Sequence, residues 1–287
     1  MDEKKEIKMA TMTIRNPKDF EYPKPRLIQR LIPRAVSPLW VSGLDFSRYQ
    51  TDAIVNAFPK LQVAGWQFIF IQATYAANGV DFKFDTFWRA AYDAGLWPIP
   101  YHFYYASYDG YIQADHFLRT TEACRSATGI PAGMVDVEAR DGATIATRVA
   151  RLNNWWTGIR THAKVITYSS PALWQELTAN ARLNAADYGM VAHWTSANTP
   201  TIPTGWTAAQ TKFWQRGVYT KHAWIEQPPG VTEDVDVDSW MGTMDDLRAF
   251  LGIQPPTPTP TLEQRVTDLE RRVTTLEQAR AHVGGAA

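Results

Sequence analysis

Two carboxylates separated by a single residue, Asp136 and Glu138 in Met134-Val135-Asp136-Val137-Glu138, interrupt an otherwise apolar run. As a strand, this run projects both acids from one face, roughly 6.6 Å apart along the backbone. A lone Asp often caps a helix or joins a buried ion pair, but two acids on one strand face are not a core pattern. Crowded carboxylates raise one another's proton affinity, and Glu138, flanked by apolar neighbours, is the better proton donor. An acid that keeps its proton, beside a second acidic group, is the equipment for cutting a glycosidic bond. Retaining pairs sit about 5 to 5.5 Å apart and inverting pairs about 6.5 to 9.5 Å, so the strand spacing leaves the stereochemistry open.

Two further runs have the same shape. Gly43-Leu44-Asp45-Phe46-Ser47 lies near the start of the apolar region, and Val235-Asp236-Val237-Asp238-Ser239-Trp240 lies at its end. First and last strands adjoin in a closed barrel, which places Asp45 beside Asp236 and brings the Asp136/Glu138 strand to the same mouth. The candidate acidic site is therefore Glu138, Asp136, Asp45 and Asp236.

The elements that must position these acids are short apolar runs alternating with amphipathic stretches. Candidate strands span 43–46, 68–73, 98–103, 133–137, 165–168, 189–193, 211–215 and 235–237, and helical periodicity marks 85–94, 111–128 and 146–161. The later strands lack helices between them. The pattern predicts an α/β fold, an irregular TIM-like barrel over 41–252 of about five βα units followed by plain strands. Strand C-terminal ends carry the chemistry in such barrels, so the aromatics nearest them, Tyr101, Tyr104, Trp194 and Trp214, are candidate surfaces for stacking sugar rings. Core packing is an equal use for each. His102 is as apt to be a satisfied structural histidine as a substrate contact, and His193 has no better claim.

Outside the barrel, residues 1–40 carry nine Lys/Arg against five Asp/Glu and five prolines, read as an extended basic arm. Residues 253–261 form a Pro/Thr linker, extended in character. Over 262–283 a heptad follows, with Leu262, Leu269 and Leu276 at d, Val266 and Val273 at a, Glu263, Glu270 and Glu277 at e, and Arg265 and Arg272 at g. Arg265 pairs with Glu270, and Arg272 with Glu277, across a parallel assembly. This predicts a helix forming a parallel coiled coil, dimer or trimer, through 262–276.

With these residues in view, the sequence resembles glycoside hydrolase family 25, the muramidases. The resemblance rests on Gly43-Leu44-Asp45-Phe46-Ser47 with Gln50, Phe68-Ile69-Phe70-Ile71-Gln72-Ala73-Thr74, Tyr101-His102-Phe103, Val135-Asp136-Val137-Glu138, Phe213-Trp214-Gln215 and Val235-Asp236-Val237-Asp238. It implies an irregular β/α barrel acting on the bond between N-acetylmuramic acid and N-acetylglucosamine in peptidoglycan. Glu138 is then the general acid, Asp136 aids the second half of the reaction, and Asp45 and Asp236 complete the site, with no metal or cofactor. One segment departs from the family: where it commonly reads Lys-Ala-Thr-Glu-Gly, this chain has Gln72-Ala73-Thr74-Tyr75-Ala76-Ala77-Asn78-Gly79. Gln72 and Tyr75 are thus candidate substrate contacts of altered character.

Composition narrows the alternatives. Lys plus Arg and Asp plus Glu are equal at 29 each, so no global field favours nucleic acid or an anionic membrane. A single cysteine, Cys124, excludes an intrachain disulfide and a Cys/His metal cluster. The charged first ten residues show no secretory h-region, and no transmembrane stretch is evident, consistent with release by lysis or carriage on a phage or injection particle. Residues 1–40 are the candidate contact to such a particle. Two other classes compete with an active hydrolase: a non-catalytic glycan-binding module and a structural component of a phage tail or injection apparatus.

Overall fold

Period-two alternation gives every barrel strand an inward and an outward row of side chains, and here the two rows feed two separate cores. The computed structural model describes residues 40–254 and, beyond them, Val266, Leu269 and residues 271–273. Nearly all of the arm, the linker and the heptad segment lie outside the described residues. The chain divides into two units, Met1–Ile253 and Gln254–Ala287. In the second, the described residues are helical and exposed.

The strands are β1 (Val41–Phe46), β2 (Phe68–Tyr75), β3 (Gly79–Val80), β4 (Trp97–Phe103), β5 (Ala132–Asp136), β6 (Lys164–Ser169), β7 (Tyr188–Ala192), β8 (Thr211–Val218) and β9 (Asp236–Trp240). They pair in the order β1-β9-β8-β7-β6-β5-β4-β2, and parallel β1–β2 pairing closes the ring. β3 adds a short antiparallel arm to β2. Within the ring, β9 alone runs antiparallel to its neighbours, β1 and β8. Five strands lead into helices: α1 (Phe58–Val63), α2 (Phe84–Asp93), α3 (Gly110–Thr128), α4 (Ile145–Arg160) and α5 (Pro171–Thr178); among the described residues β7, β8 and β9 follow one another without one, and α6 (Met244–Leu251) ends the unit. This is the irregular α/β barrel that the alternation of runs predicts.

The helices α2, α3 and α4 coincide with the periodic stretches. The others, with six or eight residues each, make about two turns, too few for a periodic signal. Local chemistry starts two of them. Ser170 accepts from the Leu173 N–H at 3.2 Å just ahead of Pro171 in α5, and Thr243 with Asp246 forms a capping box on α6.

Inside the barrel, Phe68, Phe70, Phe213 and Trp240 interlock edge to face, with centroids 5.1 Å apart for Phe70–Phe213 and 4.9 Å for Phe213–Trp240. Phe250 of α6 packs against Trp240 and Phe213 and, with Leu247 and Leu251, plugs the end away from the acids. The outward rows meet the helices, where Trp88, Trp155, Trp156, Trp174 and Trp214 are all fully buried. Most of the 12 tryptophans are thus core residues, as burial of large aromatics ordinarily favours.

Helices α3 and α4 touch most closely at Gly110, where an added Cβ would meet the Arg151 carbonyl oxygen at 1.8 Å and the Trp155 nitrogen at 2.8 Å. Backbone cannot yield as a side chain can. Gly110→Ala is therefore expected to lower stability by about 3 kcal/mol, read as a lower urea midpoint at unchanged slope; an unchanged midpoint would show that the helices part freely.

Candidate active site

Strand register assembles the site. Asp45 in β1 is paired directly with Asp236 in β9, so the first and last strands bring together two acids far apart in sequence. Asp136 ends β5, opposite Phe103 of β4 and Tyr168 of β6. Glu138 lies two residues on, beyond the strand proper, yet the ladder continues past it. The Val137 N–H donates to the Tyr168 carbonyl at 3.0 Å, and the Val137 carbonyl accepts from the Ser169 hydroxyl at 2.9 Å. These bonds hold the alternation in phase, with Val137 outward and Glu138 inward. Asp45, Asp136, Glu138 and Asp236 all line one cleft of about 540 Å³, together with Gln72, Tyr101, Met134, Tyr168, Trp194 and Gln215.

Gln215 ties the two sides of this cleft. Its Oε1 accepts from the Tyr168 hydroxyl at 2.9 Å and from Trp194 Nε1 at 3.0 Å, and its Nε2 donates to Asp45 Oδ2 at 2.8 Å. Because an indole N–H only donates, the amide orientation is fixed. Asp45 therefore faces its neighbours with one oxygen already committed.

Burial governs the electrostatics. Removal from water, then repulsion from Asp236, holds the Asp45 carboxyl well above the usual carboxylate range, although the Gln215 bond opposes this. Asp136 is raised in the same way by burial, then by Glu138 and by Asp45 and Asp236. Asp236 is pushed up to about 6, by burial and then by Glu138. Glu138, half-buried at the mouth, is raised by burial. Burial and crowding thus favour the protonated forms in this cluster, whose members titrate as a coupled set. The arrangement can deliver a proton to a leaving oxygen and, from the remaining carboxylates, stabilise positive charge opposite it.

Not every residue singled out in the sequence belongs to this cleft. Tyr104 faces the helices, its hydroxyl donating to the Arg148 carbonyl at 3.4 Å. Trp214 also faces outward, with Nε1 donating to the His193 carbonyl at 2.8 Å. Both are fully buried and offer no face to a substrate. The reason is parity: Tyr101 and Phe103 point inward where His102 and Tyr104 point outward, and Phe213 and Gln215 point inward where Trp214 does not. Tyr75 lies outside the cleft lining, with the Arg48 guanidinium 4.2 Å above its ring. His102 is structural: its Nδ1 meets the Thr74 hydroxyl at 2.7 Å and its Nε2 meets Gln113 Oε1 at 3.0 Å, and burial lowers its pKa to about 4.

Sequence reasoning passed over Gln215, Tyr168, Phe103 and Asp238 as site residues. Counting parity from Asp136 to its strand neighbours would have found Tyr168 and Phe103, and counting inward from Phe213 would have found Gln215. Asp238 lies below the mouth, paired across strands with Gly43 and Gln215. It is wholly buried, and neither of its oxygens has a hydrogen-bond partner among the described residues.

The model of the Glycosyl hydrolases family 25 matches residues 44–227 of the 287. The chain belongs to this family. It is a glycoside hydrolase similar to lysozyme M1 of Streptomyces globisporus, at 27% identity over 223 residues, 73% of this chain and 71% of the relative. Among solved structures it is similar to a muramidase from Trichobolus zukalii, with a TM-score of 0.60 and 26% identity, covering 74% of this chain and 98% of that one. The barrel is also shared with the bacterial lysozyme of Streptomyces coelicolor, at a TM-score of 0.62 and 24% identity over 75% of this chain and 98% of that one. Asp236 lies beyond the matched segment of this family 25 domain and reaches the cleft through β9.

Asp238 gives a pH-dependent prediction. Burial, then the charges of Asp45 and Asp236, raises its pKa well above the ordinary value. Between the ordinary and the raised values the folded state binds the extra proton, so stability falls as pH rises, by up to about 1.4 kcal/mol per pH unit for this group. Asp238→Asn removes that slope: its melting temperature should exceed wild type most at pH 7 to 8, and the gap should close towards pH 4. A gap independent of pH would mean that Asp238 does not hold a proton in the fold.

Proposed function

We propose that the family 25 cleft hydrolyses the β-1,4 bond between N-acetylmuramic acid and N-acetylglucosamine in bacterial peptidoglycan, a lysozyme activity. The observation that carries this reading is Glu138 at the cleft mouth, inward-facing and raised in proton affinity by burial, above the deeper Asp136. Family membership and the similarity to proteins named lysozyme and muramidase support it.

In this reading Glu138 gives its proton to the glycosidic oxygen as the C1–O bond breaks. Asp136 orients the substrate's own N-acetyl group, whose carbonyl oxygen bonds to C1 on the opposite face. Water then opens that intermediate, Glu138 takes back a proton, and the configuration at C1 is retained. Asp45, held by Gln215, and Asp236 complete an acidic wall that favours positive charge at C1 in the transition state. Tyr101, Trp194 and Gln72 are the substrate contacts left among the residues singled out in the sequence.

The flanking segments point to delivery in company. Val266, Leu269 and Val273, at a and d of the heptad, are helical and exposed, which supports parallel self-association through 262–276 as dimer or trimer. With the basic arm at 1–40, this favours a lytic protein carried on a phage or injection particle.

Glu138→Gln preserves shape and removes the proton. It is expected to cut the release of reducing ends from purified cell walls at least about 100-fold while leaving the circular dichroism spectrum unchanged; near-normal lysis would sink the assignment. Separately, light scattering of the full chain should give a dimeric or trimeric mass that drops to the monomer when residues 254–287 are deleted. A full chain already monomeric at high micromolar concentration would rule the coil out.

A further inference from the structure

Among the 12 tryptophans, only Trp194 and Trp224 are strongly exposed, at 50% and 39%. They flank one imidazole. The ring of His222 stands 5.3 Å from Trp194 and 4.7 Å from Trp224, centroid to centroid. The rings are tilted against each other, by 58° for Trp194 and His222 and by 39° for His222 and Trp224, and the cluster they form begins in the cleft lining at Trp194.

Each ring is fixed. Trp194 Nε1 donates to Gln215 Oε1 at 3.0 Å, and Trp224 Nε1 donates to the Arg216 carbonyl at 3.3 Å. The Val218 N–H donates to His222 Nδ1 at 2.9 Å, and the same nitrogen lies 3.2 Å from the Val218 carbonyl oxygen. The chain between is a tight loop, with Gly217 at φ 151° and Thr220 at φ 56°. Thr220 is a β-branched residue in the left-handed region, a conformation that surrounding structure must enforce. Rings so restrained lose little freedom when a ligand settles on them.

We propose that Trp194, His222 and Trp224 form a stacking platform for further saccharide units of the glycan strand whose bond lies at the acids. Pyranose C–H faces seat on aromatic faces, and Trp194 and Trp224 are the two indoles that this cluster leaves exposed for them. Trp194 shares Gln215 with Asp45, so a sugar stacked on it is held in register with the acidic wall. A peptide stem fits less well, because the charged neighbours on this lip, Lys221 and Asp234, are already paired at 2.7 Å. The inference rests on the glycan-cleaving reading and adds a preference for long strands.

The test uses the full chain carrying Glu138→Gln, so that ligand is not consumed, and calorimetry with peptidoglycan-derived oligosaccharides of four and of eight sugars. The octasaccharide should bind about tenfold more tightly than the tetrasaccharide. Adding Trp224→Ala should abolish most of that gain, and Trp224→Tyr, which keeps a flat face, should restore it. An unchanged length dependence in Trp224→Ala overturns the platform, as does an equal loss in Trp224→Tyr, which would mean that loop packing and not stacking is at work. Reducing-end release by the wild-type chain, measured in parallel, tests the glycosidase reading by itself. Cleavage by wild type with no effect of Trp224→Ala on length dependence therefore removes only the platform.

Discussion

Everything at the mouth of this barrel follows from Asp45 and Asp236 facing each other across β1 and β9. Two carboxylates in direct cross-strand register repel, and here they do so away from water with Asp136, Glu138 and Asp238 close enough to add to the effect. Strand pairing imposes the crowding; the side chains do not choose it. The closed ring of backbone hydrogen bonds fixes the separation, so the acids relieve the strain in the one way left to them, by holding protons that exposed carboxylates would release.

The remainder of the fold has to offset that unfavourable mouth. It does so at a distance, through fully buried tryptophans between barrel and helices and through the aromatic plug of Phe213, Trp240 and Phe250 at the other end. The separation into two cores is functional. The outward rows carry the packing that holds the strands, which leaves the inward row free to change from phenylalanine at one end of the barrel to carboxylate at the other. β1 shows this within six residues, where Val41 joins the aromatic end, Gly43 admits the Phe68 ring, which an added Cβ would strike at 2.2 Å, and Asp45 enters the cleft.

Much of this was legible in the sequence because period two is a local property. The runs that form the eight barrel strands, and the shared phase of Asp136 and Glu138, need only the chain itself. Phase was harder to read where aromatics adjoin one another. Choosing the aromatics nearest strand ends selected Tyr104 and Trp214, whereas alternation counted through Tyr101 and Phe213 turns both towards the helices. Register shifts between Gln72 and Thr74 and between Gln215 and Gly217 break the count altogether, since one extra residue exchanges the two faces. Those shifts are set by the neighbouring strand, and Gly217 in β8 is the one local mark of them.

The bulge in β8 shows why such irregularity persists. With Gln215 opposite Asp238 and Val218 opposite Asp236, the extra residue lets both Gln215 and Val218 face the cleft, at a separation that unbroken alternation forbids. Gln215 can then reach Asp45 on the far side of β9, while the chain after Val218 turns sharply enough to return His222 to Trp194. A regular strand would keep the ladder intact and lose one of the two. The irregularity of the barrel is therefore not a lapse from an eightfold pattern. It lets one strand serve the acids with an amide and, three residues later, launch the loop that builds the aromatic edge of the cleft.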